Sequence, residues 1–122
     1  VSNAGVVASD VAAVGTARHG QAACSYGGDK GIFGFGDDGN ACDITNKVSN
    51  SGVVASDVTG VGTARSALAA TQYGDNKGIF GFGTNAGGVT GVTNLVSNAG
   101  VVASDVAAVG TAREFLAGCS FN

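Results

Sequence analysis

The strongest constraint on this chain is an 18-residue segment that occurs three times. It reads VSNAGVVASDVAAVGTAR at Val1–Arg18 and Val96–Arg113, and VSNSGVVASDVTGVGTAR at Val48–Arg65. The copies begin 47 and 48 residues apart. Periods of this size are typical of propellers, solenoids and other repeat arrays. The sequence therefore predicts one repeat region over residues 1–122.

Composition narrows the classes of partner. The chain is 44% hydrophobic, with 22 Gly and no Pro, which indicates a folded protein with thin layers and turns made by Gly and Asn. The net charge is -3 and the six Lys and Arg residues are dispersed, so nucleic acid is not expected as a partner. Apolar runs fall well below the roughly 20 residues that span a bilayer, and no membrane insertion is expected.

Each period predicts four short strands joined by tight turns. Runs rich in Val, Ile and Phe between Gly, Asn and Asp favour strands over helices, and the Ala-rich pieces lack a sustained helical stripe. Residues 107–113 link one unit to the next. The predicted strands are A (Ala67–Tyr73), B (Lys77–Gly83), C (Val92–Val96) and D (Gly100–Val106), with counterparts of A and B at Gln21–Tyr26 and Lys30–Gly36.

A stretch of variable sequence follows strand B in each unit, and it is expected to be a surface loop. It runs over Asp37–Ile44 in one unit and Thr84–Val92 in the next. Carboxylates in the first stretch are compatible with calcium but lack EF-hand spacing, so a solvated acidic loop is the simpler interpretation. The candidate ligand-contact residues are Asp37, Asp38, Asn40, Asp43, Thr84 and Asn85.

The same stretch contains a string that resembles a nucleotide-binding motif. Residues 34–39 spell G-x-G-x-x-G after a predicted strand. No helix is expected to follow, and two carboxylates there would repel a pyrophosphate. The string is therefore interpreted as the end of a hairpin.

An Asp precedes the closing Arg of the repeated segment by eight residues in every copy. A catalytic role would require three active sites in one chain, whereas a structural role requires only a repeated charge-assisted bridge between units. We therefore predict structural ion pairs at the unit junctions. The residues are Asp10, Arg18, Asp57, Arg65, Asp105 and Arg113.

The remaining reactive side chains suggest no catalytic or metal site. His19 is the only histidine, so neither a repeated Ser-His pair nor a multi-histidine cluster can be assembled within one chain. Cys24 and Cys119 occupy one position of the repeat, which holds Thr71 in the middle unit. This exchange indicates a small packing position. No cofactor, metal or catalytic residue is predicted.

The order of these features resembles the kelch repeat. An apolar strand and a Gly-Asp turn precede Lys-Gly-Ile-Phe-Gly-Phe-Gly, and Val-Thr-Asn-Leu-Val-Ser-Asn leads into a last strand and an Arg. Where kelch blades usually carry a Gly-Gly pair, a Trp and prolines, this chain has Gly81-Phe82-Gly83, Val101-Val102 and Val109-Gly110. The sequence is more similar to a kelch-like repeat of virion proteins from marine bacteriophages, especially phages of cyanobacteria.

The resemblance implies an all-β repeat protein of four-stranded kelch-like blades, as part of a β-propeller or a stacked β-repeat array. It also implies a non-enzymatic component of a phage virion or tail fibre, whose variable loops contact a glycan or protein of the host surface. A kelch-type ligand- or protein-binding propeller of a cellular protein is the alternative, and an enzyme is the least favoured class. The expected location is the virion or the extracellular space.

Other copies of the chain, or further repeats of a longer chain, are the expected structural partners. Propellers have four to eight blades, and this sequence supplies only two complete sets of four strands. Bare edge strands would also disfavour a monomer. Closure into a ring, a place within a longer array and open stacking into a fibre all remain compatible with the sequence.

Overall fold

The protein is all-β in a computed structural model that describes residues 1–2 and 4–121, and these residues contain no helix. Asn3 of the first repeated segment and Asn122 of the last block lie outside the described residues. The strands are β1 (Ala22–Tyr26), β2 (Lys30–Asp37), β3 (Ala41–Val48), β4 (Ala69–Tyr73), β5 (Lys77–Gly81), β6 (Thr84–Asn85), β7 (Gly88–Val89) and β8 (Thr93–Val96).

Two equivalent three-stranded antiparallel sheets form the body of the molecule. The first sheet has the order β1-β2-β3, and the second has the order β4-β5-β8. Strands β1 and β2 pair Ala22 with Gly34 and Tyr26 with Lys30, and β4 and β5 repeat this register 47 residues later. Strands β6 and β7 form a small hairpin inserted before β8. The predicted strands A, B and C are therefore present in both units.

The ends of strands A and B differ from the prediction because the backbone turns there. Phe35 and Phe82 have φ values of 62° and 64°, a left-handed conformation that interrupts regular pairing. Strand β2 continues past a bulge to Asp37, whereas β5 stops at Gly81. Ala67 also has a positive φ, 52°, so β4 begins two residues later than predicted.

Strand D was predicted as a regular strand, and this is wrong for the two copies that follow a strand C. These segments run antiparallel to β3 and β8 but pair at only two isolated bridges each. The bridges join Val48 with Val54, Thr45 with Val58, Val96 with Val102, and Thr93 with Val106. Between them, the Ala55 N–H donates to the Lys47 carbonyl at 2.9 Å, and Ala103 makes the same bond to Leu95.

The variable stretches contain more regular structure than a surface loop. In the first unit, β3 begins at Ala41, so Asp43 and Ile44 are strand residues. Asp43 lies against Gly60, where a Cβ would overlap its carboxyl group. The equivalent pair in the second unit is Gly91 with Ala108, whose Cβ atoms would be 3.1 Å apart. In each unit, one of these two positions therefore holds glycine, which leaves room for the larger side chain at the other position.

The core lies between the first and second sheets, which pack face to face. We call the side of each sheet that bears Phe33 or Phe80 its front face, and the side that bears Ile32 or Ile79 its rear face. The rear face of the first sheet packs on the front face of the second. The buried apolar residues are Tyr26, Ile32, Phe35, Leu68, Phe80 and Val96.

Glycines allow this close approach. A Cβ on Gly34 would be 2.7 Å from Cζ of Phe80, so the phenylalanine ring occupies the space above the glycine. Cys24 lies in the same way against Gly78. Burial raises the pKa of the Cys24 thiol to about 11, as expected for a packing residue. All three cysteines are free thiols.

Candidate functional site at the junction between repeats

The closing Arg of the first repeated segment enters the next unit and binds its backbone. Arg18 Nε donates to the Phe35 carbonyl at 2.7 Å, and Nη1 donates to the Thr16 carbonyl at 3.1 Å. Nη2 donates to Oδ1 of Asn46 at 2.6 Å. Two donors of one guanidinium thereby fix the link between units to strands β2 and β3, and the third binds the link itself.

Asp57 completes this cluster from the following copy of the segment. Its Oδ2 accepts bonds from Thr16 N–H at 3.0 Å and Thr16 Oγ1 at 2.7 Å. Its Oδ1 accepts from Asn46 Nδ2 at 2.7 Å and lies 4.0 Å from Arg18 Nη1. The bonds from Asn46 and then Thr16 hold the pKa of Asp57 below its usual value. The carboxylate is thus held mainly by hydrogen bonds.

The second junction repeats the arrangement with Arg65, Thr63, Asn94 and Asp105. Arg65 Nε donates to the Phe82 carbonyl at 2.8 Å, and its Nη1 donates to the Thr63 carbonyl at 3.0 Å. Asp105 accepts from Thr63 Oγ1 at 2.6 Å and from Asn94 Nδ2 at 2.9 Å. Burial works to raise the pKa of Asp105, but these hydrogen bonds outweigh it and the pKa is lowered.

Arg65 is more deeply buried than Arg18, and its environment is less complete. Its exposed fraction is 0%, and burial lowers its pKa to about 10, still well above neutral pH. Among the described residues, Nη2 of Arg65 and Oδ1 of Asn94 have no hydrogen-bond partner, although the equivalent atoms of Arg18 and Asn46 bond directly. The two junctions are therefore similar in design but not identical.

Phenylalanine rings pack on the guanidinium groups of Arg65 and Arg113. The Arg65 Cζ lies 4.1 Å from the centroid of the Phe35 ring, and the Arg113 Cζ lies 4.5 Å from that of Phe82. The Phe35 ring also meets Phe80 edge to face, at 5.2 Å between centroids. Arginine and phenylalanine therefore alternate from one unit to the next, and cation–π attraction adds to the hydrogen bonds.

Backbone hydrogen bonds connect equivalent positions of successive units. The Ala67 N–H donates to the Gly20 carbonyl, and the Phe115 N–H donates to the Ala67 carbonyl, both at 2.9 Å. All three residues have positive φ, between 52° and 63°. A second pair of bonds joins Gly36 N–H to the Arg65 carbonyl and Gly83 N–H to the Arg113 carbonyl, also at 2.9 Å. Each junction is thus a repeated set of main-chain contacts.

The structure places the aspartate of one copy of the segment beside the arginine of the copy before it. Arg18 lies beside Asp57, and Arg65 lies beside Asp105. Asp10 is exposed. The segment between the Asp and the Arg of one copy is not helical. Eight residues of extended chain span up to roughly 26 Å, so the Asp and Arg of one copy can lie far apart. The nearer aspartate therefore belongs to the next copy.

The predicted ligand-contact residues fall into four environments. Asp38 and Asn40 are exposed in the β2–β3 turn, whereas Asp43 lies within β3. Asp37 ends β2 and bridges His19. In the second unit, Thr84 and Asn85 form the half-buried strand β6. The structure brings Asp37, Asp38 and Asn40 together in one turn.

Sequence reasoning missed the threonine, asparagine and phenylalanine of each junction. Their signal was recurrence: Thr-x-Arg, Val-Thr-Asn or Ile-Thr-Asn, and Phe-Gly-Phe-Gly return in register with the Asp and Arg. The spacing did not show that the partners come from different copies. The residues missed are Thr16, Phe35, Asn46, Thr63, Phe82 and Asn94.

The fold and this junction define an all-β protein in which two equivalent antiparallel sheets pack face to face. Neither protein-family models nor curated proteins give a match to this chain. Within residues 1–2 and 4–121, no group of three or more His, Cys, Asp or Glu side chains is placed to hold a metal ion. The same residues include no helix that is long and apolar enough to cross a membrane.

Proposed function

We propose that this protein is a non-enzymatic structural building block of an extended assembly, of the kind found in a phage virion or tail fibre. The observation that carries the proposal is the repeated junction. The same threonine, arginine, asparagine, aspartate and phenylalanine contacts join one unit to the next in both places where two units meet. Positions that recur in every unit of a repeat protein mainly serve packing between neighbours.

Each unit is proposed to be one four-stranded, kelch-like blade. The three strands of each sheet and the segment bridged to β3 or β8 supply four antiparallel pieces in chain order. The isolated bridges make the fourth piece less regular than a full strand. We favour a stacked array of such blades, because successive units are joined through equivalent backbone atoms.

Assignment to a virion rests on the resemblance of the repeat to those of marine phage virion proteins. Extended fibres need units that bind copies of themselves, and a two-sided sheet with a repeated junction meets that need. Other copies or further repeats are therefore the proposed partners, and the virion or the extracellular space is the proposed location.

The turns after strand B are the proposed contact with the host surface. Asp38, Gly39 and Asn40 are exposed in the first unit, and residues 86–89 are exposed in the second. These turns differ in length and charge, whereas the junctions are nearly constant. A scaffold that holds constant junctions and varies its turns can present different contacts to a glycan or protein.

Labelling of intact phage particles tests the virion assignment directly. An antibody against the purified chain is expected to decorate fibres or particles in electron micrographs, and its peptides are expected in mass spectra of purified virions. Absence of both signals from virions would contradict the assignment. Closed discs of the isolated protein in electron micrographs would favour a ligand-binding propeller.

A glycan array tests the host-contact part separately. The wild-type chain is expected to bind a subset of surface glycans, and Asp38→Ala together with Asn40→Ala is expected to reduce this binding. The matched control is Asp75→Ala, an exposed acidic residue in the turn between strands A and B. Binding that is equal in all three proteins would contradict a role for the β2–β3 turn.

A further inference from the structure

The two sheets bury their front faces unequally. Phe80, on the front face of the second sheet, has an exposed fraction of 0% because the first sheet covers it. Phe33, its equivalent on the first sheet, is 39% exposed. Val48 is half-buried there, whereas its equivalent Val96 is fully buried. The front face of the first sheet is therefore a partly exposed apolar surface, and it is equivalent to the front face of the second sheet, which the first sheet covers.

The rear faces show the reverse difference. Ile32 on the first sheet is 1% exposed, whereas its equivalent Ile79 on the second sheet is half-buried. Phe35 is 0% exposed, and Phe82 is half-buried. The open part of this rear face is a groove beside the C-terminal segment. Its main lining residues are Ala69, Thr71, Ile79, Gly81, Thr93 and Leu116.

These two open faces reproduce, position by position, the two faces that pack together inside the chain. Phe33 has the place of Phe80, and Gly81 has the place of Gly34, over which Phe80 lies. On Gly81, a Cβ would meet only Thr93 Cγ2 closely, at 3.3 Å, so the space above it is open to a ring. The side chains that line the groove carry no charge, and Arg18 is the one charged side chain that lines the cavities beside Phe33, so apolar burial would dominate the contact between the two faces.

We propose that a second copy of this chain binds head to tail, with the front face of its first sheet on the rear face of the second sheet of this chain. The proposal rests on the proposed structural function and names its partner surface. The same interface already joins the two sheets of one chain, and the two open faces are continuous with it in both directions. The Phe33 ring of the incoming copy is expected to lie over Gly81.

The segment 116–121 partly covers the acceptor groove and must move aside. It holds against β4 the position that β4 holds against β1, since Gly118 lies against Thr71 and the Ala70 carbonyl. It forms no strand, and its Phe121 is 94% exposed. Strand β1 of the incoming copy would take the place of this segment, and the incoming sheet would also cover Ile79 and Thr93. The segment therefore acts as a weak occupant that a complete sheet can displace.

A head-to-tail contact of this kind uses two different surfaces, so each added copy leaves one of each free. Such heterologous contacts form open filaments, or rings where the rotation between copies closes. The expected behaviour is association that increases with concentration without a fixed stoichiometry.

The test is sedimentation velocity of single variants and their mixture. Phe33→Asp blocks the front face and Ile79→Asp blocks the groove, so each protein alone is expected to stay monomeric where wild type forms dimers and larger species. An equimolar mixture is expected to form one-to-one dimers only, because each variant keeps one intact face. Val89→Asp is the control, since Val89 is 48% exposed and lies in the β6–β7 hairpin, outside the two faces.

A mixture that stays monomeric while Val89→Asp associates would overturn the proposal, as would a wild type that is monomeric at every concentration. Normal circular dichroism and melting of each variant establish that it is folded. Displacement of segment 116–121 is tested with Leu116→Asp. This variant is expected to strengthen association about tenfold or more, because it loosens the segment. Weaker association of a folded Leu116→Asp protein would overturn displacement.

This experiment separates the inference from the proposed function. Labelled virions together with a monomeric mixture would leave the structural function in place and remove this interface. One-to-one dimers together with unlabelled virions would keep the interface and remove the virion assignment.

Discussion

Phe33 and Phe80 occupy the same position of the same strand in two neighbouring units, yet one is 39% exposed and the other is fully buried. Their local sequences are identical over Lys-Gly-Ile-Phe-Gly-Phe-Gly. The difference therefore comes from what lies in front of each sheet. Burial in this protein is made by the contact between units and not within one sheet.

The arginines show the same dependence on the neighbouring unit, through polar contacts. Arg18 and Arg65 each meet an aspartate from the next copy, whereas Arg113 has a phenylalanine ring but no such aspartate among the described residues. A unit alone holds half of each cluster. Stability should therefore depend strongly on junction residues and weakly on their equivalents at the open faces.

The largest expected contrast is between the two phenylalanines. Phe80→Ala is expected to lower the free energy of unfolding by about 3–5 kcal/mol, because it leaves a cavity over Gly34. Phe33→Ala, at the partly exposed position, is expected to cost less than about 1 kcal/mol. Urea unfolding of both variants at low protein concentration measures the contrast. Equal losses would show that the two faces are equally covered.

The glycines that face these rings should differ in the same direction. Gly34→Ala places a Cβ within 3.2 Å of three Phe80 ring atoms and is expected to cost about 1–3 kcal/mol. Gly81→Ala has a single close neighbour, Thr93 Cγ2 at 3.3 Å, and is expected to cost less than about 1 kcal/mol. Thermal melting of the two proteins provides the comparison. A Gly34→Ala protein as stable as wild type would contradict close packing of the sheets.

The aspartates give a smaller contrast. Asp57→Ala removes three hydrogen bonds to Thr16 and Asn46, and we expect a loss of about 1–2 kcal/mol. Asp10→Ala changes the equivalent exposed residue and should alter the free energy of unfolding by less than about 0.5 kcal/mol. Urea titrations of the two variants decide this. A larger effect at Asp10 would place the ionic contact within one copy of the segment.

The pH dependence should be the smallest effect. The pKa values of Asp57 and Asp105 are lowered in the folded protein, so their stabilisation is complete above the unfolded value of about 3.9 and disappears as the pH falls through the native values. Unfolding measured between about pH 5 and 2 should show a steeper loss for wild type than for Asp57→Asn/Asp105→Asn. Parallel curves would indicate that neither carboxylate is held in the junction.

Local sequence predicted the strands because Val, Ile and Phe runs alternate with obvious turn residues. The core strands β1, β2, β4, β5 and β8 begin and end within two residues of their predicted limits. The largest differences lie where a positive φ stops pairing near Phe82 and Ala67. Strand D failed because β-branched content indicates an extended chain but does not supply regular hydrogen bonds. Its neighbour supplies only two bridges in each unit.

The junction could be predicted only in part, because recurrence identifies positions but not partners. Asp57 and Arg65 are eight residues apart in one segment, yet each contacts a different copy. Only the stacking of units decides this pairing. The exchange of Asp43 and Gly60 for Gly91 and Ala108 was visible in the sequence and could have indicated a contact between the two positions.

The rear face of the first sheet packs on the front face of the second, and the junction and the proposed interface both depend on this contact. Nuclear Overhauser spectroscopy at low protein concentration measures the contact. Contacts between the Phe80 ring protons and the α protons of Gly34 are predicted, because a Cβ there would be 2.7 Å from the ring. A well-dispersed spectrum of the folded protein without that contact would contradict the account.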